Sequence, residues 1–310
     1  MSQYPIILIP QAIKSVQSAL PPKPSSNAIQ PEQPGVTPKK INNTLIAVET
    51  AIAIPVIPVV SQLTSLPGWF LFLVAVGAIA GHVWYQFTSY PQRLQKHHQV
   101  VADYTIKIKE YEHQKQLDAE KVKESRSPEK VAEFQSNLLL QVLNRTIPHD
   151  GNDSIAIKNP KEKVFKTYLK QYFSNNIHTD LTLAIPNFPY PYTPDFVYID
   201  RGIKLYIDIE LDEPYVYHTG KPTHYLEATK DNNRNLFFLD KGWVVIRFSE
   251  EQIAKYPKSC IKTIATVISE ITKDKSILSQ FMNIPDVEPV NQWTVLEAKE
   301  MYSQKFRDTY

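Results

Sequence analysis

At 310 residues the chain has room for one or two modest domains and for segments that belong to neither. A formal net charge of +2 points neither toward nor away from a nucleic-acid partner. The single cysteine, Cys260, excludes an internal disulfide framework and a cysteine-rich zinc site.

Residues 1–43 are rich in proline, serine, glutamine and lysine, with too little apolar matter to offset the entropy of ordering, and are expected to be disordered. The opening MSQYPIILIP is apolar, but it lacks a basic start and contains Pro5 and Pro10, so it makes a poor signal peptide. Residues 44–88 read as a two-helix transmembrane hairpin. Trp69 to Phe87 carries no formal charge and has about the length needed to cross ~30 Å of hydrocarbon, with aromatic residues at both ends. Leu45 to Leu63 is a less regular span, interrupted by Glu49, Pro55 and Pro58. Lys39 and Lys40 precede the pair, and Arg93 and Lys96 follow it. Both flanks are therefore expected on the cytoplasmic side of an inner or plasma membrane, with both termini cytoplasmic. A hairpin buried in a soluble protein is the alternative. Gly77 and Gly81 form a GxxxG, a close-approach surface within the hairpin or between copies of the chain. Glu49 and His82 are ionisable groups in these segments, although two spans offer few surfaces for a transport pathway.

Residues 89–150 read as a charged helical stalk and linker. Leu94, Val101, Tyr104, Ile108 and Tyr111 follow a 3–4 spacing that Lys115 and Asp118 interrupt, which leaves both a solvated stalk and a dimerising one open. Ser127 and Pro128 provide the N-cap and first position of a further helix, to about Asn144. Residues 155–282 follow as one domain. They show a helix over 161–173 with Val164, Tyr168 and Tyr172 on one face and Phe165 beside them, a short strand in 179–186, and strands at 195–200 and 204–211. A helix ending at Gly242, an apolar strand at 243–248 and closing helices complete the unit. That order is an α/β domain with a small mixed sheet. Residues 283–310 are a linker and one amphipathic helix with Trp293, Leu296, Ala298 and Met301, packed on the domain or on a partner.

The chemistry lies in the third strand, where Asp208, Glu210 and Asp212 alternate and so share one face. Carboxylates that repel each other this way are compensated by a hard cation such as Mg²⁺, or else by water at a sheet edge. Asp195 opens the neighbouring strand and is placed to share an ion with Glu210.

Pro194–Asp195 followed by Glu210-Leu211-Asp212 resembles the PD-(D/E)xK nuclease signature. The run DNNRNLFFLDKGWVVIRFSEEQI (231–253) is similar to the small nuclease-like domains related to very-short-patch repair endonucleases, and the likeness covers about residues 160 to 273. It implies a restriction-endonuclease-like fold with a Mg²⁺ or Mn²⁺ ion on Asp195 and Glu210, Asp208 beside them and Glu162 as an accessory acid. Asp212 stands where the signature has lysine and is expected among the catalytic residues with Asp195, Glu210 and His224. That leaves the positioning of the attacking water to the loop that carries His218, Lys221 and His224, with His224 the first choice as general base. Asp231 and Arg234 would brace the following helix, and Arg247 would meet either a phosphate or a nearby acid. The resulting expectation is a membrane-anchored, Mg²⁺-dependent endonuclease acting on DNA by direct attack of water. Membrane lipid, nucleic acid and further copies of the chain are its partners. The alternatives are an inactive nuclease-fold module that binds nucleic acid or protein at the membrane, and a membrane assembly or scaffold protein.

Overall fold

A computed structural model of the chain describes residues 2–40, 43–151 and 160–310, with the side chains of residues 43–46 and 49 outside that description. Residue 155, the expected start of the domain, and the Glu49 side chain therefore lie outside the described set. The elements in chain order begin with strands β1 (Gln3–Tyr4) and β2 (Ile6–Leu8) and helices α1 (Gln11–Gln17), α2 (Asn43–Thr64), α3 (Gly68–Ser125), α4 (Pro128–Leu143) and α5 (Pro160–Phe173). Strands β3 (Ile177–His178), β4 (Phe196–Asp200) and β5 (Leu205–Asp212) follow, then α6 (Thr229–Asp240) and β6 (Val244–Ser249). Helices α7 (Glu250–Lys255) and α8 (Pro257–Thr272), strand β7 (Val290–Asn291) and helix α9 (Val295–Ser303) close the chain.

The chain divides into two units, Met1–Pro22 with Arg126–Tyr310, and Lys23–Ser125. The first is mixed α/β. Its five-stranded sheet runs β2-β6-β5-β4-β3, with β5 and β6 parallel and the other neighbours antiparallel. The β5–α6–β6 segment is the crossover that a parallel pair requires. Alternation along the strands separates two faces. Leu205, Ile207, Ile209 and Leu211 of β5 pack with Phe165 and Leu169 of α5 and Ile261, Ile264 and Ile268 of α8. The opposite face carries Val197, Ile199 and Val245 against Phe238 of α6 and the buried Trp243. Asp208, Glu210 and Asp212 share that second face, as the alternation predicts.

Several expectations change. The N-terminal segment is built into the sheet. Ile6-Ile7-Leu8 pairs with Val245 to Arg247, while β1 pairs with β7. The physical reason is that every residue of β6 is buried, so its outer edge needs a backbone partner, and the apolar run beside Pro5 supplies one. Helix α5 buries Glu162, Phe165, Leu169 and Phe173, whereas Val164, expected inward, is 60% exposed. The predicted strand in 179–186 makes only isolated bridges, at Thr182 and Leu183. The C-terminal stretch is a strand, a nine-residue helix and a 3-10 turn rather than one helix, and it packs on the domain through Trp293 and Ala298 beside Tyr4. As expected, Ser127 caps α4, accepting from the Lys130 N–H, and Gly242 ends the α6 segment at φ +85°.

The second unit contains α2 and α3, which pack on each other. Stalk and apolar segment are one continuous 58-residue helix, α3, which passes through Pro91. It contains a stretch long and apolar enough to cross a membrane, with 0% of that stretch buried, and α2 carries a shorter apolar stretch over Thr50–Thr64. The proline-rich residues 23–40 run along α3. Ser26 donates to Asp118 at 2.6 Å, and Thr37 lies 3.2 Å from His97. Extended chain from residue 26 to 37 covers about 34 Å at ~3.1 Å per residue. Helix from residue 118 back to 97 covers about 32 Å at ~1.5 Å per residue. The two lengths match, so both contacts form along one antiparallel run.

Candidate functional site

The polar face of β5 holds two neighbouring networks of different character. The first centres on Asp212, which is 1% exposed. Its carboxylate accepts from Arg247 Nε at 2.9 Å and Nη2 at 2.6 Å, a bidentate pair, and from the Tyr4 hydroxyl at 2.9 Å. Arg247, 1% exposed, also donates to Asn235 at 3.2 Å. His224, in a left-handed backbone conformation at φ +47°, places Nδ1 3.2 Å from Asp231 and 3.4 Å from Asp212. Burial alone would lower its pKa, and Arg247 pushes the same way. The charges of Asp212 and Asp231 and the Asp231 hydrogen bond outweigh both and hold it at about 9.

These contacts bear on two expectations. Asp212 and Asp231 beside His224 favour its charged form, which works against the general-base role, while Arg247 Nη2 lies 3.1 Å from the same Nδ1. Asp212 is neutralised by Arg247 and braces β5 to β6, so it does not face an attacking water. Arg247 meets an acid rather than a phosphate. Lys221 sits exposed in the 215–222 turn with its backbone N–H held by Thr219 Oγ1.

The second network collects Asp195, Asp208, Glu210 and Glu162. Asp195 precedes β4, and its Oδ2 accepts from the Leu211 N–H at 2.8 Å. Its own N–H donates to Glu210 Oε1 at 3.2 Å, so backbone pairing locks the two carboxyls side by side. Burial, then the negative charges of Glu210 and Glu162, hold the Asp195 carboxyl well above the usual carboxylate range. Asp208, 0% exposed, is pushed the same way by burial and by the charge of Glu210, with which its carboxyl shares a hydrogen bond. Glu210 stays on the ionised side: burial opposes this, but Arg234 and Arg247 outweigh it. Arg234 Nη2 lies 2.5 Å from Glu210 Oε1 and 3.7 Å from Asp208, its guanidinium beside the rings of Tyr192 and Phe238 at 5.3 and 5.0 Å. It is the internal counter-ion of the acid cluster as well as a brace for α6.

Comparisons with protein-family models, with curated proteins and with solved structures match nothing.

The residues on the page therefore have to carry the reading. Among the described residues no group of three or more histidine, cysteine, aspartate or glutamate side chains is arranged to hold a metal ion. Mg²⁺ commonly takes only one or two protein carboxylates and completes its shell with water and phosphate oxygens. Asp195 and Glu210, adjacent oxygen donors of which Asp195 favours its proton because of burial and then of the Glu210 charge, fit that smaller requirement. Asp208, expected as a ligand, lies too deep for an ion that must also meet solvent and substrate. Glu162 enters from α5, close enough to act on Asp195. Its position was legible in the sequence.

Four contributors were not. Tyr4 reaches Asp212 from the far end of the chain. Glu250, 0% exposed, is clamped by Arg307 through two 2.6 Å bonds. Glu213, raised by burial, joins Glu250 and Arg307 in lining a cavity of about 630 Å³ that Glu162 also borders. The sequence signal for these residues is weak because each partner pair is separated by tens or hundreds of positions.

Proposed function

We propose that this chain is a membrane-anchored, metal-dependent phosphodiesterase of restriction-endonuclease-like fold, with nucleic acid, DNA first, as its substrate. The observation that carries the reading is the side-by-side pair Asp195 and Glu210. Backbone hydrogen bonds fix it at one end of the sheet, with Glu162 close enough to raise Asp195 further. A pair that drives a proton onto one member accepts a divalent cation in its place. Asp195 and Glu210 would hold Mg²⁺ or Mn²⁺, whose chemistry when bound is to polarise a phosphodiester and to lower the pKa of attacking water. Arg234 keeps Glu210 ionised, ready to ligate, and the Asp212–Arg247 pair holds β5 and β6 in register beneath the site.

The anchor is a two-span hairpin with both flanks cytoplasmic. Residues 2–22 and 126–310 form one folded unit, and β2 belongs to the same sheet as β6, so both flanks lie on one side of any bilayer. The intervening chain must then cross an even number of times. If the apolar stretch of α3 spans, α2 completes the return. The exposure of Ile52, Ile54, Trp69, Phe72 and Leu73 leaves an apolar surface that lipid would cover, which argues against a hairpin buried in protein.

One observation favours a second reading, an inactive nuclease-fold module: Arg234 already neutralises Glu210. The test is Mn²⁺ binding and cleavage of plasmid, linear and single-stranded DNA and RNA by the full-length protein in lipid nanodiscs, beside Asp195→Asn and Glu210→Gln. Metal-dependent cutting and Mn²⁺ binding lost in both variants support the nuclease. Folded protein that neither binds Mn²⁺ nor cuts sinks it and leaves the binding module.

A further inference from the structure

Helix α3 continues from its apolar stretch into a charged stalk, and the regular apolar positions of that stalk form one stripe. Tyr104, Ile108 and Tyr111 lie on it at a 3–4 spacing and are half-buried, whereas Ile106 beside them is 58% exposed. Residues 23–40 run along the stalk over this stretch, since Ser26 meets Asp118 at one end and Thr37 meets His97 at the other. The proline-rich segment keeps a period of its own. Ala28, Pro31 and Pro34 are half-buried, and Thr37 with the half-buried Pro38 makes the next contact. Ile29 and Val36, off that row, are 87% and 89% exposed. Three residues per turn is the repeat of polyproline II, so one face of the segment lies on the stalk and the others face away. Its prolines have a fixed φ and lose little further freedom on docking.

The polar end of the stripe suits this segment better than it suits a second stalk. Asp118 accepts from the Ser26 hydroxyl at 2.6 Å and from Gln114 Nε2 at 2.9 Å, and these bonds hold its carboxyl below the usual carboxylate range. In a parallel pair of stalks Asp118 would instead face its own copy with like charge. We propose that residues 23–40 are a strap that takes the seam through which two copies of the stalk would pair, so that the strapped protein stands as a single copy. The strap belongs to the same chain as the stalk, and a tethered segment acts at an effective concentration on the order of millimolar, above that of a second copy in dilute solution. Without the strap, the stretch from Leu94 to Tyr111, short of the charge at Asp118, is the surface left for another stalk. The strap acts in this way whether or not the α/β unit cuts nucleic acid.

The experiment measures distances between spin labels on introduced cysteines in the full-length protein in mild detergent. Wild type is the labelling blank, because its one cysteine, Cys260, is buried. Ile29→Cys with His113→Cys reports the strap against the stalk, and Lys107→Cys alone reports a second copy; all three positions are exposed. The strap is undocked by Ser26→Asp/Pro31→Asp/Pro34→Asp, which sets one carboxylate against Asp118 and two more on the face toward the stripe, none of them in the α/β unit. As a second route, a protease site inserted at the exposed Gly35–Val36 severs the strap after the protein has folded. With the native strap the 29–113 distance should be short and narrow, and the label at residue 107 should give no inter-copy signal. Undocking or cutting should broaden the 29–113 distribution and bring up an inter-copy signal at residue 107, with the melting temperature of the α/β unit unchanged. A broad 29–113 distribution with the native strap overturns the proposal, as does an inter-copy signal while the strap is docked. A triple variant whose strap stays narrow, or a freed stalk that remains alone, overturns it as well.

Discussion

Removing the Asp212 carboxylate separates a structural acid from a site acid. In Asp212→Leu, Arg247 keeps its charge at 1% exposure and loses both hydrogen bonds to Asp212, and the Tyr4 hydroxyl loses its acceptor. Breaking one side of a buried ion pair costs about 3–5 kcal/mol, and the Asp231 carboxylate 3.6 Å from Arg247 Nη2 puts this one toward the lower end. Domains of this size have about 5–15 kcal/mol in total, so the loss is a large share of the whole. For a folded unit of roughly 200 residues, about 2–4 °C per kcal/mol converts it to a melting decrease of about 6–20 °C. Arg247→Met removes the bidentate partner of Asp212, which keeps the Tyr4 hydroxyl and His224, and should cost less than Asp212→Leu. The double variant Asp212→Leu/Arg247→Met should be more stable than either single one, since the pair is then replaced by apolar groups. The assay is thermal and urea unfolding of the full-length protein in mild detergent, followed by tryptophan emission. Additive losses in the double variant, or a single-variant loss below about 1 kcal/mol, would refute the closed network and return Asp212 to the list of solvent-facing acids.

Asp195→Asn should act in the opposite direction. Its folded carboxyl is held above the ordinary range, so its contribution to stability is present at low pH and lost as pH rises. The variant should therefore be more stable than wild type at neutral pH and should lack the stabilisation by Mn²⁺ expected of wild type; equal melting curves with and without Mn²⁺ in wild type would contradict this. His224, raised from 6.5 to about 9, contributes stability that is complete below about pH 6.5 and disappears as pH rises through about 9. Unfolding measured from pH 6 to 10 should show that decline in wild type and a flatter profile in His224→Gln. A fragment that starts at residue 126 lacks β2 and the buried Tyr4, Ile13 and Val16, and should be insoluble or molten by amide hydrogen exchange. Residues 1–22 joined to 126–310 by a flexible linker should restore protection of β6, and a well-protected 126–310 fragment would show that the strand is dispensable. Arg307→Met takes the charged clamp from Glu250, 0% exposed, and leaves it the Tyr310 hydroxyl; the loss should be up to about 3–5 kcal/mol in the same unfolding assay, with Glu250→Gln/Arg307→Met recovering most of it.

Much of the α/β unit was legible because its signals are local. Period-two alternation put Asp208, Glu210 and Asp212 on one face, Ser127–Pro128 announced α4, Gly242 closed the α6 segment, and the β-branched run before Phe248 announced a buried strand. The pairing of Asp195 with Glu210 was also within reach, since β4 and β5 form a tight antiparallel pair. The packed face of α5 was legible at Tyr168 and Tyr172, which lie against the core, whereas Val164 and Phe165 are both apolar and only the packed sheet selects Phe165. The roles of His224 and Asp212 were not legible, since a histidine's protonation depends on which charges fold against it.

The sequence alone determined what one strand or helix decides for itself: alternation, caps, breaks, and a run of apolar residues long enough to cross a bilayer. Tertiary structure decided what needs two distant segments to meet. It turned a proline-rich opening into the edge strand that β6 requires, because a buried strand cannot leave its backbone groups unpaired. It also sorted six acids of identical chemistry into closed ion pairs around Arg247 and an acid cluster around Asp195 and Glu210. Charge alternation along a strand cannot make that distinction, because the free energy of a buried carboxylate is set by its neighbours in space.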